Sequence, residues 1–344
     1  MKAITPLKEQ IYSTLANALD GQKEVSLAIF PNHWNVGDSA IWWACIVALK
    51  DLNIKVKYVC SFKTYSKQDL LQHSPAGPIL LCGGGNFGDM YMDEQGLREA
   101  ILTNHPDRKI IQLPQSIWFK SEDEGSRVAA LVNNHPDFTL LLRDQQSLAI
   151  ARSLSIKNTK LCPDMAFYLD GELPTVSQNT PPSYKLTVLQ RVDGESGSNN
   201  EVNLPVDPAY RLYDWHQEND VYLSNWSLKG KLALKIVTRW ISNKRTPMGI
   251  VLWATHVVSK ERTLRGIDVI NNSEIAITDR LHAGILSLLI GQETILVDNS
   301  YGKNRAVYSA WMEDIPSILL TPTLNDALGV YEKNSTMRAL KHSA

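Results

Sequence analysis

The stretch Ser273–Gly291, SEIAITDRLHAGILSLLIG, reads as a strand running straight into a helix. "EIAIT" is a short apolar run, "DR" is the turn, and "HAGILSLLI" is the helix behind it. Asp279, Arg280 and His282 interrupt the apolar run at the junction. Packing alone needs only the apolar residues. The three ionisable groups are therefore either paired with one another around a satisfied core histidine, or they reach into a cleft.

The same unit recurs along the chain. In the first half the apolar runs are "VSLAIF", "KVKYVC", "PILLCGGG", "KIIQLPQS", "FTLLLR" and "TKLCPD", each followed by a polar or glycine turn. Continuous rather than alternating apolar strands imply burial on both faces, hence a largely parallel sheet covered by helices. Helices are expected over Ser39–Leu52 and Gln145–Leu154, and the N-terminal "MKAITPLKEQIYSTLANAL" reads as a short amphipathic helix. A second set follows: the strand "KLTVLQR", a helix near Ser227–Ser242, the strand "GIVLWAT", a helix within Glu261–Asn272, then "EIAIT", its helix and "TILVDNS".

With 344 residues, the chain suits two domains of about 150–180 residues better than a single core. The Pro-, Gly- and Ser-containing stretch Leu169–Lys185 is the expected linker, giving an N-terminal Rossmann-like domain over 1–172 and a C-terminal one over 173–344. The polar stretch Arg191–Asn225 has little periodicity and reads as a long loop. Doubly wound domains that face each other leave a cleft at the carboxyl ends of their strands, where ligands bind in open α/β sheets.

A net charge of −1 argues against broad binding to nucleic acid or acidic membranes. Cys45, Cys60, Cys82 and Cys162 form no CxxC pair and read as reduced core residues, pointing to the cytoplasm. The N-terminus lacks the apolar core of a signal peptide, and no apolar segment approaches the ~18 residues of a membrane span. The histidines show no metal-ligand spacing, so no metal is expected.

The strand ends carry the chemistry. After "SLAIF" comes "PNHWNVGDSAIWW", in which Asn35 and Gly37 form a turn and Asp38 is expected at a helix N-cap, next to His33 and Trp34. After "PILLC" comes "GGGNFGDMY", where the glycines either converge backbone N–H groups on an anion or let another backbone approach closely. It is neither a Walker loop nor a GxGxxG fingerprint. "FTLLLRDQQS" ends a strand at Arg143, which either pairs with the capping Asp144 or reaches an anion. Arg191 repeats that scheme, with Asp193 and Glu195 after it. Arg280 and His282 sit over a helix N-terminus, a place that favours an anion. "ILVDNSYGKN" adds Asn299, Ser300, Tyr301 and Lys303. Arg143, Arg191, Arg280, His282 and Lys303 together would make a positive cleft suited to a small anionic donor.

"NVGDSAIW", "GGGNFGD", "LLRDQQS", "TDRLHAG" and "DNSYGKN" occur in the order found in the polysaccharide pyruvyl transferases, and the chain resembles that family over Asn32–Trp311. One departure is Ala283, where the family commonly has glycine. The resemblance implies a GT-B-like pair of Rossmann-like domains facing across a cleft. It also implies transfer of the enolpyruvyl group of phosphoenolpyruvate onto two hydroxyls of one sugar, with release of phosphate and no further cofactor. The acceptor would be an exopolysaccharide or cell-wall glycan precursor, often lipid-linked, at the cytoplasmic face of the membrane, among other polysaccharide assembly enzymes.

Phosphoenolpyruvate carries roughly two to three negative charges, for which arginines are natural partners. On that basis Arg143, Arg280, His282, Asn35, Gly37, Gly84, Gly85 and Asn86 are the expected donor site. His282 is the expected acid and Asp38 the base, roles that the sequence leaves exchangeable. Arg191, Asn299, Ser300, Tyr301 and Lys303 are expected on the acceptor side. Two rivals stand beside this assignment: a nucleotide-sugar glycosyltransferase of the same architecture, and a non-catalytic glycan-binding module. The latter would use exposed tryptophans, Trp34 and Trp215 being the expected exposed pair.

Overall fold

The computed structural model of the chain describes residues 4–174, 182–191, 207–215, 223–243, 246–299 and 302–342. Twelve strands are seen among them: β1 Glu24–Ala28, β2 Lys55–Cys60, β3 Ile79–Leu81, β4 Gly84–Gly88, β5 Ile110–Trp118, β6 Phe138–Leu142, β7 Thr159–Leu161, β8 Tyr184–Leu189, β9 Tyr210–Tyr213, β10 Ser273–Thr278, β11 Thr294–Val297 and β12 Ile318–Thr321. The helices are α1 Thr5–Leu19, α2 Val36–Asp51, α3 Lys67–His73, α4 Met92–Asn104, α5 Glu122–Asn134, α6 Gln145–Ser153, α7 Leu228–Asn243, α8 Met248–Ile270, α9 Leu281–Ile290, α10 Lys303–Trp311 and α11 Leu324–His342.

Two compact units result. The first joins Met1–Glu172 to Asn219–Arg265, and the second joins Leu173–Glu218 to Gly266–Ala344. The break at 172/173 coincides with the expected linker, but a continuous second domain over 173–344 does not describe the molecule. The segment 219–265, with α7 and most of α8, belongs to the first unit.

The first unit carries a seven-stranded sheet of order β2-β1-β3-β5-β6-β7, with β4 paired to β5, and every described pairing in it is parallel. The second carries a five-stranded parallel sheet of order β12-β11-β10-β8-β9. The mixed α/β class with parallel sheets follows from the continuous apolar runs: Ile79, Leu80 and Leu81 are fully buried, as are Leu140, Leu141 and Leu142. In the second unit Leu186, Val188, Ile275, Ile277, Ile295 and Val297 pack with Leu324, Ala327 and Tyr331 of α11.

Each sheet reverses its direction of growth once. In the first, the chain goes from β1 outward to β2, then returns to the other side of β1 with β3. In the second it goes from β8 to β9, then places β10 on the other side of β8. The carboxyl ends of β1 and β3, and those of β8 and β10, therefore flank the topological switch points where such sheets leave a crevice.

Two local expectations are corrected. "GIVLWAT" is not a strand but the first turns of α8. Its β-branched run imitates a buried strand, yet Val251, Ala254 and Val258 are buried while Ile250 and Trp253 are exposed, which is helical spacing. The stretch 191–225, read as one loop, contains strand β9 on the edge of the second sheet.

Candidate active site

At the first switch point, helix α2 begins three residues earlier than expected. Asn35, not Asp38, is its N-cap, accepting a hydrogen bond from Gly37 N at 3.0 Å. That frees Asp38, in the first turn, from capping. Its Oδ2 lies 3.5 Å from His33 Nε2. The loop bearing His33 is held from α8. Arg262 donates to the Pro31 carbonyl at 3.2 Å and Arg265 to the Trp34 carbonyl at 3.1 Å. Both guanidiniums lie over the Trp34 ring, at 5.1 and 5.6 Å. Burial pulls the pKa of Arg262 down to about 9. Trp34 is thus half covered rather than open, and Trp215, the other tryptophan expected at the surface, is buried.

The glycine run follows β3. A Cβ on Gly83 would run into the Pro114 carbonyl, and one on Gly88 into the Trp118 carbonyl. Close approach of β5, the second of the two readings of this motif, is therefore what the run supplies at its two ends. Gly84 and Gly85 lie within β4, and a Cβ on Gly84 would sit 3.4 Å from Asp38 Oδ1. Asn86 is fixed by a buried network: its Oδ1 accepts from Arg98 at 2.8 Å and from Gln115 at 3.1 Å, while Arg98 also donates to Gln112 at 2.8 Å. Burial lowers the Arg98 pKa to about 9. With its oxygen so occupied, Asn86 keeps its Nδ2 as a donor.

These pieces border a small cleft open to solvent, whose walls include His33, Asp38, Cys82, Asn86 and Glu94. Glu94, on the first turn of α4, was not singled out from the sequence, where "MDEQGLREA" looks like a solvated helix start. Its carboxyl is half-buried. Burial raises its pKa, opposed by a bond from its own backbone N–H and by His33, with Asp38 and Asp93 adding to the rise.

The second switch point is built differently. Arg280 is the N-cap of α9, and its backbone N donates to Thr278 Oγ1 at 3.0 Å. Its guanidinium is buried and paired with Asp214, just past β9, through Nε at 2.8 Å and Nη2 at 2.5 Å; it lies 5.6 Å over the Trp215 ring. The expected partner, Asp279, instead accepts from Arg191 N at 2.9 Å. Burial pushes Asp279 up to about 6. Asn304 ties the neighbouring strand ends together, donating to the carbonyls of Asp279 at 2.7 Å and Val297 at 2.8 Å. Asn299 caps the loop into α10 by accepting from Lys303 N at 2.7 Å. The structure thus gathers Arg191, Arg280, Asn299 and Lys303 around the ends of β8, β10 and β11, with His282 in the first turn of α9. Ser300, Tyr301, Asp193 and Glu195 lie outside the described residues.

Arg143 closes β6 in the first unit, and the charge of its counter-ion Asp164 is felt at Cys82 in the cleft wall, as is that of Asp38. Arg143 is fully buried and paired with Asp164 at 2.6 Å. Its Nε donates to Ser116 Oγ at 2.8 Å, and Ser116 in turn donates to Asp144, the N-cap of α6, at 2.6 Å. The alternative in which Arg143 joins its neighbouring cap is the closer one, with Asp164 as the direct counter-ion. Arg143 is thus buried against a carboxylate, as Arg280 is in the second unit.

A family model described as polysaccharide pyruvyl transferase matches residues 35–301, most of the chain and both switch points. The chain belongs to the polysaccharide pyruvyl transferase family. It is accordingly a transferase, and its fellow members include pyruvyl transferase 1 of Schizosaccharomyces pombe (strain 972), 30% identical over 90% of this chain and 75% of that protein. The putative pyruvyl transferase EpsO of Bacillus subtilis (strain 168) is 32% identical over 91% of this chain and 93% of its own length. Among solved structures, a functionally uncharacterized protein of Klebsiella pneumoniae superposes with a TM-score of 0.59 at 22% identity, covering 92% of this chain and 98% of that one. At that identity the likeness speaks for the fold alone. Among the described residues, no helix is long and apolar enough to cross a membrane.

Proposed function

We propose that this pyruvyl transferase takes its pyruvyl group from phosphoenolpyruvate and places it as a cyclic ketal on two hydroxyls of one sugar in an exopolysaccharide or cell-wall glycan precursor. The carrying observation is that a member of this family holds Arg280, set by Asp214, over the start of a helix at the end of β10. Arg280 would grip the phosphate, oriented by Asp214 so that its planar fork is already set. His282, two positions further, would add a second donor over the same helix N-terminus. Arg191 and Lys303 would add positive field, whether toward the donor or toward an acidic acceptor. Asp38, released from capping and steadied by His33, would take the proton of the attacking hydroxyl.

Included in this proposal is the GT-B-like arrangement, in which the strand ends of both units serve one donor and one acceptor. No cofactor beyond phosphoenolpyruvate is required by the scheme. A place at the inner face of the membrane, beside other assembly enzymes, would follow from a lipid-linked acceptor. The test is to supply phosphoenolpyruvate with candidate glycan precursors and follow phosphate release together with a pyruvate-sized mass gain on the glycan. Turnover that collapses in Arg280→Ala and His282→Ala is expected. Near-normal turnover in both variants, or stabilisation by nucleotide sugars and not by phosphoenolpyruvate in a thermal shift, would end this assignment.

A further inference from the structure

We propose that Glu94 is the proton donor of the reaction, the acid that protonates the methylene carbon of the enolpyruvyl donor; this rests on the function proposed above. Ketal formation from an enol phosphate needs an acid and a base of opposite protonation at the same pH. The first switch point supplies two carboxyls in one cleft with unlike surroundings, Asp38 and Glu94. Asp38 has His33 at 3.5 Å. The half-buried Glu94 carboxyl accepts from its own backbone N–H, and among the described residues no ion pair is seen to it. A carboxyl in that position is more readily held as the neutral acid.

Burial favours the protonated form of Glu94, as do Asp38 on α2 and Asp93 on its own helix, and His33 on the β1–α2 loop opposes it. Arg98, one turn along α4, is bonded to Asn86, Gln95 and Gln112, and its charge also acts on Glu94 in favour of the ionised form. Burial dominates, and the Glu94 pKa moves upward.

The step balances. The Glu94 proton goes to C3 of phosphoenolpyruvate, the C2=C3 π pair becomes the new C–H bond, and C2 becomes electrophilic. The first sugar hydroxyl adds its oxygen to C2 and gives its proton to Asp38. The C2–O bond to phosphate then breaks with its electron pair leaving on phosphate. The second hydroxyl closes the ring at C2, and its proton leaves with the phosphate. One proton is lost at Glu94 and one gained at Asp38, so transfer between them through His33 or solvent restores the pair. In this scheme His282 stays on the phosphate and is not the acid.

The test compares wild type, Glu94→Gln and Glu94→Asp on whichever acceptor supports phosphate release by the wild type. Expected for Glu94→Gln is a fall in kcat of about 100-fold or more with KM for phosphoenolpyruvate unchanged. The alkaline fall of the wild-type kcat profile, where the acid loses its proton, should vanish in Glu94→Gln and return in Glu94→Asp. A Glu94→Gln enzyme with wild-type kcat, or with the alkaline limb intact, overturns the assignment of the acid. If the wild type itself releases no phosphate from phosphoenolpyruvate, it is the function proposed above that fails. Infrared difference spectra of the free protein across a pH titration then still decide whether Glu94 keeps its proton to a higher pH than an ordinary glutamate. A protonated-carboxyl band absent from Glu94→Gln supports the assignment, and an identical spectrum in both proteins removes it.

Discussion

The two switch points have the same topology and opposite chemistry. In the first unit the ends of β1 and β3 open on a cleft whose ionisable groups, His33, Asp38 and Glu94, have few side-chain partners. In the second the ends of β8 and β10 bring together Arg280, Asp214, Asp279 and the Arg191 backbone in a buried, mutually bonded set. The sheet alone thus sets where a site forms, while the connecting loops set what it can do. Weakly partnered carboxyls can exchange protons with a substrate. An arginine already held by a carboxylate is set in place for an anion rather than free to search for one.

The largest expected effect belongs to the fully buried Arg143. Arg143→Ala leaves Asp164 charged and buried without its counter-ion, and should cost about 3–5 kcal/mol in urea unfolding. An enzyme that keeps its stability but loses phosphoenolpyruvate affinity would assign Arg143 to the donor site instead. Next comes Asp214→Asn, which weakens a charge-assisted bond at the second switch point and should cost about 2–3 kcal/mol. The matching change at the first, Asp38→Asn, removes only a partly exposed pair and should move stability by less than about 0.5 kcal/mol while lowering turnover. Equal stability losses for the two would erase the contrast.

Asp279 sharpens the same comparison through pH. Its pKa in the folded protein is raised from 3.8 to about 6. The folded state therefore holds the proton more tightly than the unfolded state. Stability should fall as pH rises from 4 through 6, the direction set by the extra proton on the native side. Asp279→Asn removes that slope. The variant should be more stable than wild type by on the order of 3 kcal/mol at pH 8 and indistinguishable from it near pH 3. A variant destabilised at pH 8 would mean that the carboxylate is satisfied by charges the fold provides.

Much of this was legible in the chain. Strand–turn–helix units such as "EIAITDRLHAG" carry their class in their period, and Ser66, Ser121 and Asp144 cap α3, α5 and α6 through bonds to the residue three further on, a local matter. The misread elements fail for the same reason in reverse. "GIVLWAT" has a strand's composition, and only the partners on either side of it reveal which face is buried. The counter-ions were not legible. Asp164 lies 21 residues from Arg143 and Asp214 lies 66 from Arg280, so local sequence favours the adjacent but wrong Asp144 and Asp279. Glu94 was hidden by its ordinary setting, an acidic helix start, which becomes a cleft wall only when α4 packs beside the β1–α2 loop.

The division of labour between the two switch points can be read in one binding experiment. Calorimetric titration with phosphoenolpyruvate alone should give wild-type affinity in Asp38→Asn and at least about tenfold weaker binding in Arg280→Lys, which keeps the charge beside Asp214 but loses the planar fork. Undiminished binding in Arg280→Lys together with lost binding in Asp38→Asn would contradict the account.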